Sequence, residues 1–144
     1  MKICTKCNLS LLSNEFNFQK SRCDGLYPIC KKCLKDENLR YKRSVIGIIK
    51  QTYADMKKRV SNPQYKYWYG KPLLSQNEFE LFVDNNIDIF NKLYEDWILS
   101  GHKNKLKPSI DRKDSSIGYI ESNMQFITTE ENREKARVKK FWKR

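Results

Sequence analysis

The sequence contains no long apolar run and no glycine-rich loop of the kind that binds phosphate. No apolar stretch approaches the roughly 20 residues that a helix needs to cross a bilayer, and no signal peptide precedes Cys4. We therefore expect a cytoplasmic protein without a membrane partner. In that reducing compartment, paired cysteines bind metal more often than they form disulfides.

Acidic residues are also few relative to basic ones. The chain has 29 Lys and Arg against 17 Asp and Glu, which gives a net charge of +12. The excess is uneven, because residues 1–60 carry +9, residues 61–100 carry −3 and residues 101–144 carry +6. Two basic ends around an acidic middle predict a polyanion as partner, gripped by both ends while the middle serves as scaffold.

Four of the five cysteines form two Cys-x-x-Cys pairs, and 22 residues separate the pairs. This spacing predicts one structural, tetrahedral zinc site in a DNA-contacting module over residues 1–45, with a zinc-ribbon or treble-clef-like fold. The expected ligands are Cys4, Cys7, Cys30 and Cys33. A redox role for either pair is the alternative, and Cys23 is either a bystander or a replacement for one ligand.

The middle of the chain has the apolar spacing of amphipathic helices. Gly47 is expected to break a basic helix that follows the second cysteine pair, and a second helix is expected over 48–60. Further on, Ser75 and Glu78 have the spacing of a capping box, which predicts the start of another helical block. We expect residues 46–100 to form a helical scaffold without chemistry of its own.

The pattern near the C-terminus predicts a hairpin followed by a helix. One strand is expected to end at Asp111, and the return strand is expected over 124–127. Thr128 and Glu131 have the spacing of a capping box for the helix. Asn132 then falls on the first full turn, where it can face Asp111. A carboxylate and an amide oxygen that converge in this way suit a hard cation such as Mg²⁺, although a hairpin of ordinary turn residues without metal has the same pattern.

The run PSIDRKDSSIGYIESNMQFITTEEN resembles the ββα-metal core of HNH endonucleases, in a variant in which Asp-Arg replaces Asp-His. Similar runs occur in phage homing endonucleases and in PacI-like restriction enzymes. The resemblance implies a catalytic core over residues 101–144, in which Asp111 and Asn132 hold Mg²⁺ or another divalent metal. It also implies that Asn123 braces the hairpin loop.

Arg112 stands where HNH enzymes usually place a histidine base. A guanidinium cannot accept a proton at neutral pH, so we expect Arg112 to clamp a phosphate. Two candidates for the base remain. Tyr53, with Arg59 six residues later, matches a recurring pair in the phage relatives, and His102 is the only histidine. Tyr53 is the preferred candidate, with Arg59 or Arg112 as the cation that a phenol needs in order to act as a base.

These features predict an α+β protein with a zinc module, a helical middle and a ββα-metal core. The expected function is metal-dependent hydrolysis of phosphodiester bonds in double-stranded DNA, in a phage-encoded enzyme that acts in the host cell. A homodimer is expected if both strands are cut at once, because each chain has one active site. The alternatives are a non-catalytic zinc protein that binds DNA and a nuclease that acts on RNA.

Overall fold

A computed structural model describes the backbone of residues 1–141 and the side chains of residues 1–138. Within these residues the chain forms five α-helices and three two-stranded antiparallel sheets, which confirms the predicted α+β class. Contacts along the chain divide it into two units, Met1–Gly47 and Ile48–Arg144. The three modules predicted at 1–45, 46–100 and 101–144 stay a prediction.

The first unit contains two short hairpins and one helix. Its elements are β1 (Lys2–Ile3) paired with β2 (Ser10–Leu11), β3 (Phe16–Phe18) paired with β4 (Leu26–Cys30), and α1 (Lys31–Arg43). The buried cluster consists of Cys4, Phe16 and Cys30, and α1 contributes no buried residue. So small an apolar core leaves this unit dependent on a further source of stability.

Helix α2 (Val45–Ser61) begins directly after α1, and the break falls at Ser44 rather than at Gly47. The Ser44 backbone N–H and hydroxyl both donate to the Tyr41 carbonyl, and the Gly47 N–H donates to the Ser44 hydroxyl oxygen. A Cβ on Gly47 would lie 1.9 Å from the Tyr41 carbonyl oxygen. Glycine is therefore required by close approach and does not end the helix.

The second unit packs helices against the C-terminal hairpin. After α2 come α3 (Gln76–Asn85) and α4 (Ile87–Leu99), and the predicted capping box of Ser75 and Glu78 is present. The helical block is divided at Asn86, whose side-chain amide donates to the Phe82 carbonyl.

The described helices include none that is both long enough and apolar enough to span a bilayer.

The hairpin consists of β5 (Pro108–Arg112) and β6 (Met124–Thr128), and α5 (Thr129–Phe141) follows it. The predicted capping box is confirmed, because the Glu131 carboxylate accepts from the Thr128 N–H and the Thr128 hydroxyl accepts from the Glu131 N–H. The Phe126 ring lies 5.5 Å from Phe82 and 5.2 Å from Phe90, which joins β6 to α3 and α4. The predicted phosphate or packing contacts of six residues lie outside the described side chains: Lys139, Lys140, Phe141, Trp142, Lys143 and Arg144.

The loop between β5 and β6 is braced by Asn123, which is 5% exposed. Its Oδ1 accepts from the Asp114 N–H at 2.8 Å. Its Nδ2 donates to the carbonyls of Asp114 and Gly118, both at 2.9 Å. Gly118 itself lies against Pro72, where a Cβ would come within 2.2 Å of the carbonyl oxygen. One side chain thus holds the loop in the shape that delivers Arg112 and Tyr119 to the same place.

We expect Asn123→Ala to lower the free energy of unfolding by about 1–3 kcal/mol, because it leaves buried backbone groups of the loop without partners. Chemical denaturation monitored by circular dichroism measures this change. The matched control is Ser122→Ala, an exposed neighbour. Equal stability of the two variants would show that Asn123 does not brace the loop.

Candidate metal centre and candidate active site

The four cysteines of the two pairs come together in the first unit. Their sulfur atoms all lie within 4.8 Å of one another. Tetrahedral zinc with Zn–S bonds of about 2.3 Å would place its ligands about 3.8 Å apart, so a small adjustment lets this cluster bind the ion. Cys23 is exposed and lies outside the cluster, so it replaces none of the four. The four cysteines can form the zinc site that the spacing predicted.

The hydrogen bonds around the cluster favour a thiolate at Cys4. Its Sγ accepts from the N–H groups of Lys6 at 3.4 Å and Cys30 at 3.3 Å. Burial raises the pKa of the Cys4 thiol, but backbone hydrogen bonds from Cys30, Cys7 and Lys6 outweigh it and lower that pKa to about 6. The hydrogen bond with Cys30, followed by burial, raises the pKa of Cys33 to about 12. Four thiolates this close together would repel one another, and a divalent metal would offset their charge.

The second unit contains an open cavity at the end of strand β5. Four of the residues singled out by sequence, Arg59, Asp111, Arg112 and Asn132, line this cavity. The lining also includes Trp68, Tyr119 and Lys135. The hairpin and the helix that follows it thus place a carboxylate, an amide and two cations around one open space, and Arg59 of α2 adds a third cation.

Asp111 is 6% exposed and accepts two hydrogen bonds on one oxygen. The Gln125 amide donates to Oδ2 at 2.8 Å from the facing strand position. The Lys135 ammonium donates to the same oxygen at 2.6 Å from helix α5. The carboxylate is therefore fixed from both the sheet and the helix.

Asn132 is oriented by the strand beneath it. Its Nδ2 donates to the Ile110 carbonyl at 3.0 Å and to the Ser109 hydroxyl at 3.1 Å. Because the Ile110 carbonyl can only accept, the amide nitrogen must lie on that side. The Asn132 carbonyl oxygen then points the other way, as an available acceptor.

Two guanidinium groups lie on the rings of Trp68 and Tyr119. The Arg112 Cζ lies 5.5 Å from the Trp68 ring centre and 5.3 Å from that of Tyr119, and Nη1 donates to the Ile117 carbonyl. Arg59 lies 5.9 Å from the Trp68 ring and donates to the Tyr119 hydroxyl at 3.2 Å. Burial and the charge of Arg59 lower the pKa of Arg112. The charges of Asp111 and Asp114 act in the opposite direction and raise that pKa.

Neither candidate for the base lines this cavity. The Tyr53 hydroxyl donates to the Leu74 carbonyl at 3.0 Å, and its ring stacks on Phe79. His102 has a positive φ of 63° after the end of α4, and its ring packs edge-on against Trp97 at 4.7 Å. The roles predicted for Tyr53 and His102 stay predictions.

Sequence reasoning did not assign three other lining residues, Trp68, Tyr119 and Lys135, to the catalytic site, although it expected Lys135 to contact phosphate. Lys135 could have been found, because it lies three residues after Asn132 and so shares its helix face. The contact between Arg59 and Tyr119 joins residues 60 positions apart, and no local pattern indicates it.

Comparison of the chain with protein-family models, with curated proteins and with solved structures finds no match. The function is therefore inferred from the chemistry of the cysteine cluster and of the cavity.

We expect one tightly bound zinc ion per chain, because four thiols at this spacing match its preferred ligands. Cys30→Ser should lose the metal and much of the fold of the first unit, whereas Cys23→Ser should retain both. Elemental analysis of the purified variants, together with circular dichroism, measures the two effects. Purified protein without zinc, or full zinc content in Cys30→Ser, would contradict this assignment.

Proposed function

We propose that this protein is a metal-dependent DNA endonuclease of the HNH type. In this proposal residues 1–45 are a zinc-ribbon or treble-clef-like module, and residues 101–144 contain a ββα-metal core. The observation that carries it is the meeting of two oxygen donors, Asp111 and Asn132, with two guanidinium groups at one cavity. Oxygen donors suit a hard cation and guanidinium groups suit phosphate.

The two arginines supply the phosphate-binding part of the site. A guanidinium offers paired N–H groups that match two phosphate oxygens, and such charge-assisted hydrogen bonds are strong. Arg112 is 8% exposed, and its planar group is held by two aromatic rings. A phosphodiester that enters the cavity would meet cations that are already oriented. This supports Arg112 as a clamp on phosphate, with Arg59 beside it.

Asp111 and Asn132 would hold the catalytic divalent metal. Their donors fit Mg²⁺, because one is a carboxylate and the other an amide oxygen directed away from the strand. A bound divalent cation supplies positive charge for a developing negative charge on the leaving oxygen. The chain's own contribution is orientation, since Gln125 fixes the carboxylate and the Ile110 carbonyl fixes the amide.

The exposed charge of helix α1, in the first unit, favours a nucleic acid as the partner. This helix carries six basic residues and two acidic ones, and none of its residues is buried. An exposed basic helix can neutralise phosphates and release their counterions. Double-stranded DNA as the substrate, a phage source and a host cytoplasm follow from the HNH resemblance. A homodimer is proposed only for cleavage of both strands at once.

We expect the protein to nick or linearise supercoiled plasmid in the presence of Mg²⁺. Asp111→Ala and Asn132→Ala should abolish cleavage and leave the DNA affinity measured without divalent metal within about threefold of the wild type, because the basic residues that contact phosphate remain. Gel analysis of cleavage and fluorescence anisotropy of binding measure the two effects. The matched control is Asp84→Ala, which removes an exposed carboxylate on α3 and should cut normally.

Other outcomes of this assay select the alternatives. DNA binding without cleavage under any divalent metal would indicate a non-catalytic zinc protein. Cleavage confined to a structured RNA substrate would indicate a nuclease that acts on RNA.

The two phenols provide a second test. Tyr119→Phe removes the acceptor that orients Arg59, and the loss of a hydrogen bond to a charged group is worth about 1.5–3 kcal/mol. We therefore expect a loss of about 10-fold to 10²-fold in cleavage rate. Tyr53→Phe should cut nearly as the wild type does, because its hydroxyl contacts the Leu74 carbonyl.

Single-turnover cleavage measures both variants, and His102→Ala completes the series. A loss of about 10²-fold in Tyr53→Phe would instead identify Tyr53 as the general base. A comparable loss confined to His102→Ala would identify His102.

A further inference from the structure

The ammonium group of Lys135 has three acceptors around it. It donates to Asp111 Oδ2 at 2.6 Å, to the Arg112 carbonyl at 2.8 Å and to the Lys113 carbonyl at 3.1 Å. An ammonium has three N–H donors, so each has a partner. A cation of the protein itself therefore already lies on the carboxylate that the proposed function assigns to the metal.

The fold holds this lysine in place. Helix α5 is joined to the hairpin by Thr129, whose N–H and hydroxyl both donate to the Lys107 carbonyl, and by the bonds of Asn132 to strand β5. With the helix fixed at both points, Lys135 reaches the end of β5. Its side chain is 30% exposed, against 7% for that of Asp111. Asp111 is thus shielded from water while Lys135 keeps partial contact with it, and the charges interact more strongly than those of a fully exposed pair.

We propose that Lys135 is an internal counter-cation that competes with the divalent metal for Asp111 and so weakens metal binding in the free protein. This inference rests on the proposed function. A metal on Oδ2 would have to displace the ammonium, and a metal on Oδ1 would lie close enough to be repelled by it. In both positions the affinity of the site falls because of Lys135.

The other charges of the cavity act in the same direction. Arg59, Arg112 and Lys135 contribute three positive charges to its lining, and Asp111 contributes one negative charge. A cavity with this net positive charge attracts a phosphodiester more strongly than it attracts a metal ion. The incoming phosphate then supplies the negative charge that the cation needs, so metal and DNA should bind cooperatively.

A purely structural ion pair predicts something different. If Lys135 only stabilises the fold, its removal lowers the melting temperature and leaves metal affinity unchanged or weaker. If Lys135 is a competitor, its removal tightens metal binding, and added metal restores the lost stability. The two roles therefore differ in the direction of the change in metal affinity.

The test uses the zinc-loaded full chain without DNA and titrates Mg²⁺ or Mn²⁺ by calorimetry. Lys135→Met removes the charge and keeps an unbranched side chain, and Lys135→Gln repeats the test with a polar side chain in case the first variant folds poorly. The matched control is Arg133→Met, which removes one exposed charge from the same helix.

We expect both Lys135 variants to bind the metal about tenfold more tightly or better, since a neighbouring charge has been removed. Arg133→Met should change the affinity by less than about twofold, because exposed charges are screened. Without the metal, both Lys135 variants should also melt at a lower temperature than the wild type. Added metal should raise their melting temperature by more than it raises that of the wild type. Adding Asp111→Ala to Lys135→Met should remove the increase in metal affinity.

Unchanged or weaker metal binding in both Lys135 variants overturns the inference. An increase in metal affinity in Arg133→Met as large as that in the Lys135 variants overturns it as well. Wild-type plasmid cleavage that requires Mg²⁺ and Asp111 would then leave the proposed function standing. Tighter metal binding in the Lys135 variants, with no cleavage by the wild type, would support the inference and reject the nuclease.

Discussion

The ion pair between Asp111 and Lys135 joins the end of strand β5 to helix α5, and both side chains line the cavity. Truncation of one partner of a buried pair costs about 3–5 kcal/mol when both charges are shielded, and less when one partner keeps contact with water, as Lys135 does. The same contact fixes where the carboxylate points. The hairpin, its braced loop and the capped helix all serve to bring these two side chains together.

The two units differ in what can stabilise their small cores. The second unit has an aromatic core in which Phe79 contacts Phe82, and Phe126 contacts both Phe82 and Phe90. The first unit buries few apolar side chains, and two of the three residues in its buried cluster are cysteines. Its core and its candidate metal ligands are therefore partly the same atoms, so a metal bound there would also contribute to folding.

Local patterns predicted the parts of the fold that local physics determines. Both capping boxes are present, because a Ser or Thr and a Glu three residues later satisfy each other's backbone groups without help from the rest of the chain. Each cysteine pair is also local, because Cys4 and Cys7 flank one turn and Cys30 and Cys33 lie at the start of α1. The meeting of the two pairs depends on the β3–β4 hairpin between them. The break at Asn86 was missed because the apolar spacing continues across it, although the Asn86 side chain donates to the Phe82 carbonyl there.

The candidate site was predicted only in part, for the same physical reason. Asp111 and Asn132 belong to one continuous hairpin and helix, so their spacing along the sequence carries their geometry. The surroundings of Arg112 do not follow from spacing. Trp68 comes from the distant segment between α2 and α3, and Tyr119 reaches Arg112 only because the loop after β5 folds back. Tyr53 matches a pattern in the HNH family, yet its hydroxyl contacts the Leu74 carbonyl and it does not line the cavity. Resemblance identifies residue types, whereas tertiary packing decides which side chains meet.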